Sequence, residues 1–396
     1  MVKTAQRGVV SPSRTFVLQC RVPMHPQRQR RDKSTSARWL RTCVVLAAVL
    51  FAPRSWAISP EVEARINTLA KQTVEDGVAA GLVVAVAEQG KLTFERGYGV
   101  ANLEWNAPVT TDTVFRVGSI TKQFAAAGVL LLAEQKKLSL DDELAKYFPD
   151  YPRGDEVTLR QLMNHTAGVH SYPGPTERTI VRTGITVPKM VNHIGSLGYD
   201  FDPGTRWEYS NSGYFLIGAV IEKVSGQTFR EFARMRLFTP LGLTHTAVDS
   251  NDEVVPRRAS PYFRDPAHKG VFENADYIHM SVPHAAGGIR STASDLIKWT
   301  AALHGGRVLS GASYKEMTTP ATVKGKDDAK YGLGLHLLEQ QGHRLINHDG
   351  GIEGFEASMT YVVDSQTTVV VLANTQGGAR GLAAAVLEIL LAPPKT

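Results

Sequence analysis

The sequence predicts an α+β fold: an antiparallel sheet built from both chain ends and flanked by helices, with a mostly helical lobe inserted between its halves. Two β-like runs, "GLVVAVAEQG" and "KLTFERGYGV", lie between Gly81 and Val100, and four more lie between Tyr331 and Thr375. The chain from Ser119 to about Val248 reads instead as helices joined by Pro- and Gly-rich loops. Strands at the two ends bury their apolar sides together by joining one sheet.

The first 57 residues stand apart. They hold 11 of the 44 Lys and Arg but only one of the 38 Asp and Glu, Asp32. Arg28, Arg30, Arg31, Lys33, Arg38 and Arg41 precede the apolar run "CVVLAAVLFA", and small residues follow at Ser55 and Ala57. These are the marks of a secretory signal, with cleavage expected after Ala57. The run from Cys43 to Ala52 is short of the ~20 residues that span a bilayer. Met24 is a reasonable true start, and Arg30-Arg31 leaves the Sec and twin-arginine routes both open. The expectation is an exported protein, periplasmic or secreted, with no stable membrane anchor once the signal is gone.

From residue 58 onward, 33 basic side chains meet 37 acidic ones, so the basic balance belongs to the leader. With no glycine-rich phosphate loop and no basic patch in that part, nucleic acid is excluded as a partner. Cys20 and Cys43 leave with the leader, so neither a disulfide nor thiol chemistry is expected. The scattered histidines lack ligand spacing, so no metal and no other cofactor is implied. Residues 58–396 read as one domain, with the helical lobe at about 119–284.

Taken in order, Pro60–Glu75 is an amphipathic helix opened by its proline. The two runs after it turn back at Gly90-Lys91 as a hairpin. "FRVGSITKQFAAAGVLLLAEQKKL", Phe115 to Leu138, is apolar on nearly every side of a helix and therefore buried. In "PGTRWEYSNSGYFLIGAVIEKVSG" the Asp202-Pro203-Gly204 turn leads to a helix that Ser212 can cap, with Tyr214, Ile217, Ile221 and Val224 along one side. Asn251 to Pro283 carries few periodic signals. "YGLGLHLLEQ", "HRLINHDG", "FEASMTYVVD" and "TTVVVLANT" are strands at hairpin spacing, and Gly381–Leu391 is a last apolar helix.

Three short patterns carry chemistry. Lys122 falls in the first turn of the buried helix, where a cation opposes the dipole and an ammonium in apolar surroundings is costly. Either it snorkels to solvent, or an amine is needed beside Ser119. At that spacing the two side chains share a face, and a desolvated amine pushed toward neutrality is a base that can take a serine proton. Ser-x-x-Lys occurs once in the chain, and a capping box would want Glu at that offset. Tyr209 and Asn211 precede the next helix on irregular backbone, where they face a cleft or else simply pack and cap. His348 ends a strand-like run, and Gly350-Gly351 lets backbone approach a ligand closely. His165 follows "TLRQLMN" and reads as a helix-closing residue, not a catalytic one.

The ordered set Ser-x-x-Lys, Tyr-x-Asn, His-x-Gly resembles the serine beta-lactamase and penicillin-binding-protein family, above all its class C-like, D,D-peptidase and esterase branches. "NHTAGV" at Asn164–Val169 and "GGIRSTASDLIKW" at Gly287–Trp299 are similar to that family's connecting segments, so the resemblance spans essentially the whole chain after the leader. It implies a beta-lactamase/transpeptidase-like fold and an acyl-enzyme on Ser119, with Lys122 and Tyr209 sharing its proton. It also implies that Asn211 binds the substrate's amide or carbonyl, and that the backbone N–H groups of Ser119 and Gly351 form the oxyanion hole. His348 and Asp349 fall in its substrate-binding strand, and the partner is a small-molecule or peptide substrate.

Beta-lactamases of this group usually carry Lys-Thr-Gly where this chain has His348-Asp349-Gly350. Asp349 sets a carboxylate where the family's Thr helps hold the substrate's own carboxylate, which costs affinity unless Arg290 or Arg344 neutralises it. Strong beta-lactamase activity is therefore not expected. The D,D-carboxypeptidase reading weakens, and ester or D-aminopeptidase-type amide substrates gain. A catalytically silent binding protein of the same fold is the reading from another class.

Overall fold

The computed structural model describes residues 58–174, 177–323 and 329–392; the expected leader lies outside them. Helix α1 (Pro60–Glu75) opens with Ser59, whose Oγ accepts from Val62 N, and with Pro60 in the first turn. Strands β1 (Gly81–Glu88) and β2 (Lys91–Asn102) form a hairpin turning at Gln89 and Gly90, both at positive φ, and β3 (Ala107–Pro108) adds an edge. Strand β4 (Phe115–Arg116) passes through one 3-10 turn, Gly118–Ile120, into α2 (Thr121–Glu134).

The lobe contains α3 (Leu159–Met163), α4 (Arg178–Thr183), α5 (Val187–Leu197), α6 (Asn211–Ser225) and α7 (Phe229–Ala233). Short strands β5 (Ala247–Val248), β6 (Tyr262–Arg264) and β7 (Phe272–Asn274) follow, then α8 (His284–Gly287), β8 (Ile289–Ser291), α9 (Ala293–His304) and α10 (Gly311–Met317). The chain ends in β9 (His336–Gln340), β10 (His343–Ile352), β11 (Phe355–Val362), β12 (Thr367–Ala373) and α11 (Arg380–Leu391).

The seven-stranded sheet runs β3-β2-β1-β12-β11-β10-β9, with antiparallel neighbours throughout. The two chain ends meet at its centre, where Leu82 opposes Ala373 and Glu88 opposes Thr367. Both faces are buried. Val83 and Ala85 of β1, with Val370 and Leu372 of β12, face the core shared with α2, α6 and α9. Leu82, Val84 and Val86, with Val369 and Val371, face Ile66 of α1 and Val386 of α11. A strand covered on both sides needs apolar residues at every position, which is why "GLVVAVA" shows no alternation.

Two expectations need adjusting. Tyr331–Leu335 is not strand: Gly334 sits at φ +77, and a Cβ on it would come 2.7 Å from the Lys122 carbonyl oxygen. That segment is pressed against α2 and cannot ladder there. The stretch from Asn251 to Pro283 is also not wholly irregular, since β6–β7 form a hairpin inside it, while β4, β8 and β5 make a small separate sheet.

Candidate active site

The nucleophile turn and strand β10 lie in direct backbone contact. Gly118 adopts φ +50, and a Cβ on it would fall 2.7 Å from Gly351 N. One on Gly350 would fall 1.9 Å from the Val117 carbonyl oxygen. Only glycines permit this approach. It brings the Ser119 and Gly351 backbones together at one cleft of about 220 Å³, the placement an oxyanion hole requires. Asn211 lines the same cleft.

Lys122 does not snorkel; it is fully buried. Its Nζ lies 3.0 Å from Ser119 Oγ, 2.9 Å from Asn211 Oδ1 and 2.8 Å from the Ala286 carbonyl oxygen of α8. Burial holds its pKa well below the ordinary lysine value of 10.5. A neutral amine has two hydrogens and one lone pair. Asn211 Oδ1 and the Ala286 carbonyl can only accept, so they take both hydrogens and leave the lone pair for the Ser119 hydroxyl. The amide orientation is fixed independently, because Asn211 Nδ2 donates to the Tyr172 carbonyl at 3.3 Å. Asn211 is placed by α6, whose cap is Ser210 and not Ser212: the Ser210 side chain accepts from Gly213 N.

Tyr209 completes the group. Burial pushes its phenol pKa up and outweighs the opposing influence of the Ser119 side chain, so it stays protonated at neutral pH. Its ring packs on His165 at 4.4 Å between centroids, and Lys122 Nζ stands 4.7 Å from the ring centre. His165 follows the end of α3 at φ +65, the conformation of a helix-closing residue. Its Nδ1 accepts from Ser210 N at 3.2 Å, so it also braces the Tyr209–Asn211 segment.

His348 is buried beneath the cleft. Its Nδ1 lies 2.6 Å from the Asp349 carbonyl oxygen and its Nε2 lies 3.0 Å from the Tyr331 hydroxyl. The carbonyl only accepts, so Nδ1 carries the hydrogen and Tyr331 donates to Nε2. Burial holds the ring neutral. Both nitrogens are committed to the protein, which makes His348 a support for β10 and not a substrate ligand in this arrangement.

Asp349 Oδ1 accepts from Ser358 Oγ at 2.7 Å, and its Oδ2 lies 3.6 Å from Arg380 Nε. Neither arginine nominated from sequence reaches it. Arg290 pairs with Asp249 at 2.9 Å and Glu253 at 2.8 Å, and Arg344 pairs with Asp364 at 3.0 Å. Arg380 opens α11, and it also sits 3.3 Å from Glu356, so its charge is divided. Sequence reasoning missed Arg380, Tyr331 and the Ala286 carbonyl, because each enters by tertiary packing and none belongs to a local pattern. Among the described residues no group of His, Cys, Asp and Glu is placed to hold a metal ion.

A family model described as Beta-lactamase matches residues 66–392. Penicillin-binding protein 4* of Bacillus subtilis (strain 168) is 29% identical over 328 residues, covering 78% of this chain and 71% of that protein. The D-aminopeptidase of Brucella anthropi is 27% identical over 314 residues, covering 78% of this chain but only 59% of that protein. Among solved structures, D-amino acid amidase from Ochrobactrum anthropi SV3 superposes with a TM-score of 0.74 at 28% identity, covering 83% of this chain and 98% of that one. With the match running from α1 to the end of α11, the chain belongs to the beta-lactamase family and is a serine hydrolase of that fold.

Proposed function

We propose that this protein is an exported hydrolase that cleaves an ester or amide bond through an acyl-enzyme on Ser119. The observation that carries it is the buried Lys122 amine at 3.0 Å from Ser119 Oγ, with its hydrogens committed elsewhere. Ser119 Oγ bonds to the substrate carbonyl carbon while its proton passes to the Lys122 lone pair. The carbonyl oxygen gains the charge beside the Ser119 and Gly351 N–H groups, and such donors are worth about 3 kcal/mol each. The leaving group departs with a proton from Tyr209, whose phenol is kept protonated by burial and is replenished from Lys122. Water then repeats the sequence in reverse and frees Ser119.

The substrate reading rests on β10. Asp349 is only partly offset by Arg380, which favours substrates without a carboxylate at that position, such as esters and amino-terminal amides, over penicillins and D-Ala-D-Ala peptides. The amidase and aminopeptidase relatives support the same direction. Export is supported by the leader's charge and its short apolar run.

Intact-mass analysis after fluorophosphonate treatment should show one adduct, absent in Ser119→Ala. A p-nitrophenyl ester and a D-amino-acid anilide should turn over ahead of a D-Ala-D-Ala peptide and nitrocefin. No adduct on the wild type would favour the silent binding protein, and nitrocefin turning over fastest would sink the substrate reading.

A further inference from the structure

Glu353, in the turn between β10 and β11, lines the cleft that also contains Ser119, Asn211 and Gly351. Among the described residues it is the one carboxylate lining the cleft, and no lysine, arginine or histidine accompanies it there. Its Oε2 is buried and has no hydrogen-bond partner among the described residues. The walls near it are largely apolar, from Tyr172, Pro173, Ile278, Val282 and Ile352. The Tyr172 hydroxyl is spent on the Val282 carbonyl at 2.6 Å.

A carboxylate oxygen held away from water without a donor is among the least favourable arrangements in a folded chain. Burial raises the Glu353 pKa. Its own backbone N–H and, less strongly, Arg116 oppose that shift, but Arg116 is already held by Asp249 at 2.8 Å, and Asp276 adds a like charge. No donor among the described residues satisfies this oxygen, and Glu353 itself lines the substrate cleft.

We propose that Glu353 receives a protonated amine on the acyl half of the substrate. The enzyme then selects esters and amides of apolar amino acids with a free amino group over their N-acylated counterparts. The amine belongs to the acyl half because Asn211 and Gly351, assigned to the acyl carbonyl, line the same cleft. The apolar walls take the substrate's side chain. This assignment rests on the acyl-enzyme reading above. A site built around a group that must be paired discriminates strongly against ligands lacking the partner.

The test compares phenylalanine p-nitroanilide with its N-acetyl form. The wild type should prefer the free amine by at least about tenfold in kcat/KM, and in Glu353→Gln that ratio should fall toward one, chiefly through KM. Fluorophosphonate labelling of Ser119 reports that the variant's site is assembled. An unchanged ratio in a labelled variant overturns the role of Glu353 and leaves the acyl-enzyme standing, whereas no adduct on the wild type overturns both. A measurement without any variant decides the case if Glu353→Gln does not fold. Benzylamine should protect wild-type Ser119 from labelling at concentrations where benzyl alcohol does not, and equal protection by the two overturns the assignment.

Discussion

Lys122 has two acceptors and one hydroxyl around its nitrogen, so its protonation state decides whether Ser119 is a nucleophile. As an ammonium it would spend its third hydrogen on Ser119 Oγ and could accept nothing; as an amine it presents a lone pair there. Burial disfavours the charged form and lowers the pKa well below 10.5. Activity is therefore present above the depressed pKa and is lost as pH falls through it. For a neutral ester, kcat/KM should be level between about pH 9 and 10, on the alkaline side of the depressed pKa, and drop tenfold per pH unit on the acid limb. A rate still climbing between pH 9 and 10 would mean that the amine titrates like an ordinary lysine and is not the base. Lys122→Met, which roughly keeps the packed volume, should lose about 10²–10⁴-fold in kcat. Only a minor loss would return Lys122 to a structural role.

At the level of elements, the site exists because the Gly118–Ile120 turn and β10 touch through glycine. The two glycines of the third motif are not equivalent. Gly350 faces the turn, where a Cβ would meet Val117 O at 1.9 Å and Ser119 N at 3.1 Å. Gly351 faces outward, where the nearest neighbour of a Cβ among the described residues is Arg380 Nη2 at 3.7 Å, an ordinary contact. Gly350→Ala must push β10 off the nucleophile turn, so it should cost about 1–3 kcal/mol of stability by overpacking and most of the activity. Gly351→Ala should leave the thermal midpoint within a few degrees. Thermal unfolding of the two variants side by side checks this, and equal midpoints would show that the strand does not bear on the turn. The same contact explains what was legible here. Ser119 and Lys122 were readable because three residues' spacing on a helix forces them together. That His348 would be sealed beneath the strand was not, because its partner Tyr331 arrives from a segment that the Gly332 and Gly334 contacts keep out of the sheet.

Over the whole molecule, the meeting of chain ends was legible because short apolar β-like runs at the two ends and helical runs between them segregate along the sequence. The small β4-β8-β5 sheet was not, because strands of two and three residues carry no period. The same architecture bears on the expected cleavage after Ala57. Ile58 is buried with the α1–α11 layer, and Ser59 caps α1, so the residues that directly follow that site already belong to the described fold. Deleting to Gly81 removes α1, and with it Ile66 and Ala70, and so uncovers the face carrying Val84, Val86, Val369 and Val371. Burial of side chains of this size is worth about 1.5–3 kcal/mol each, so losing their cover exceeds the margin of a typical domain. A chain starting at Ile58 should therefore be soluble, unfold cooperatively and accept the fluorophosphonate on Ser119. A chain starting at Gly81 should be insoluble or unlabelled. N-terminal sequencing of exported protein should read from Ile58 or within a few residues of it. A mature start inside α1, or full-length chain retained in the cytoplasm, would show that the basic segment is not a cleaved leader.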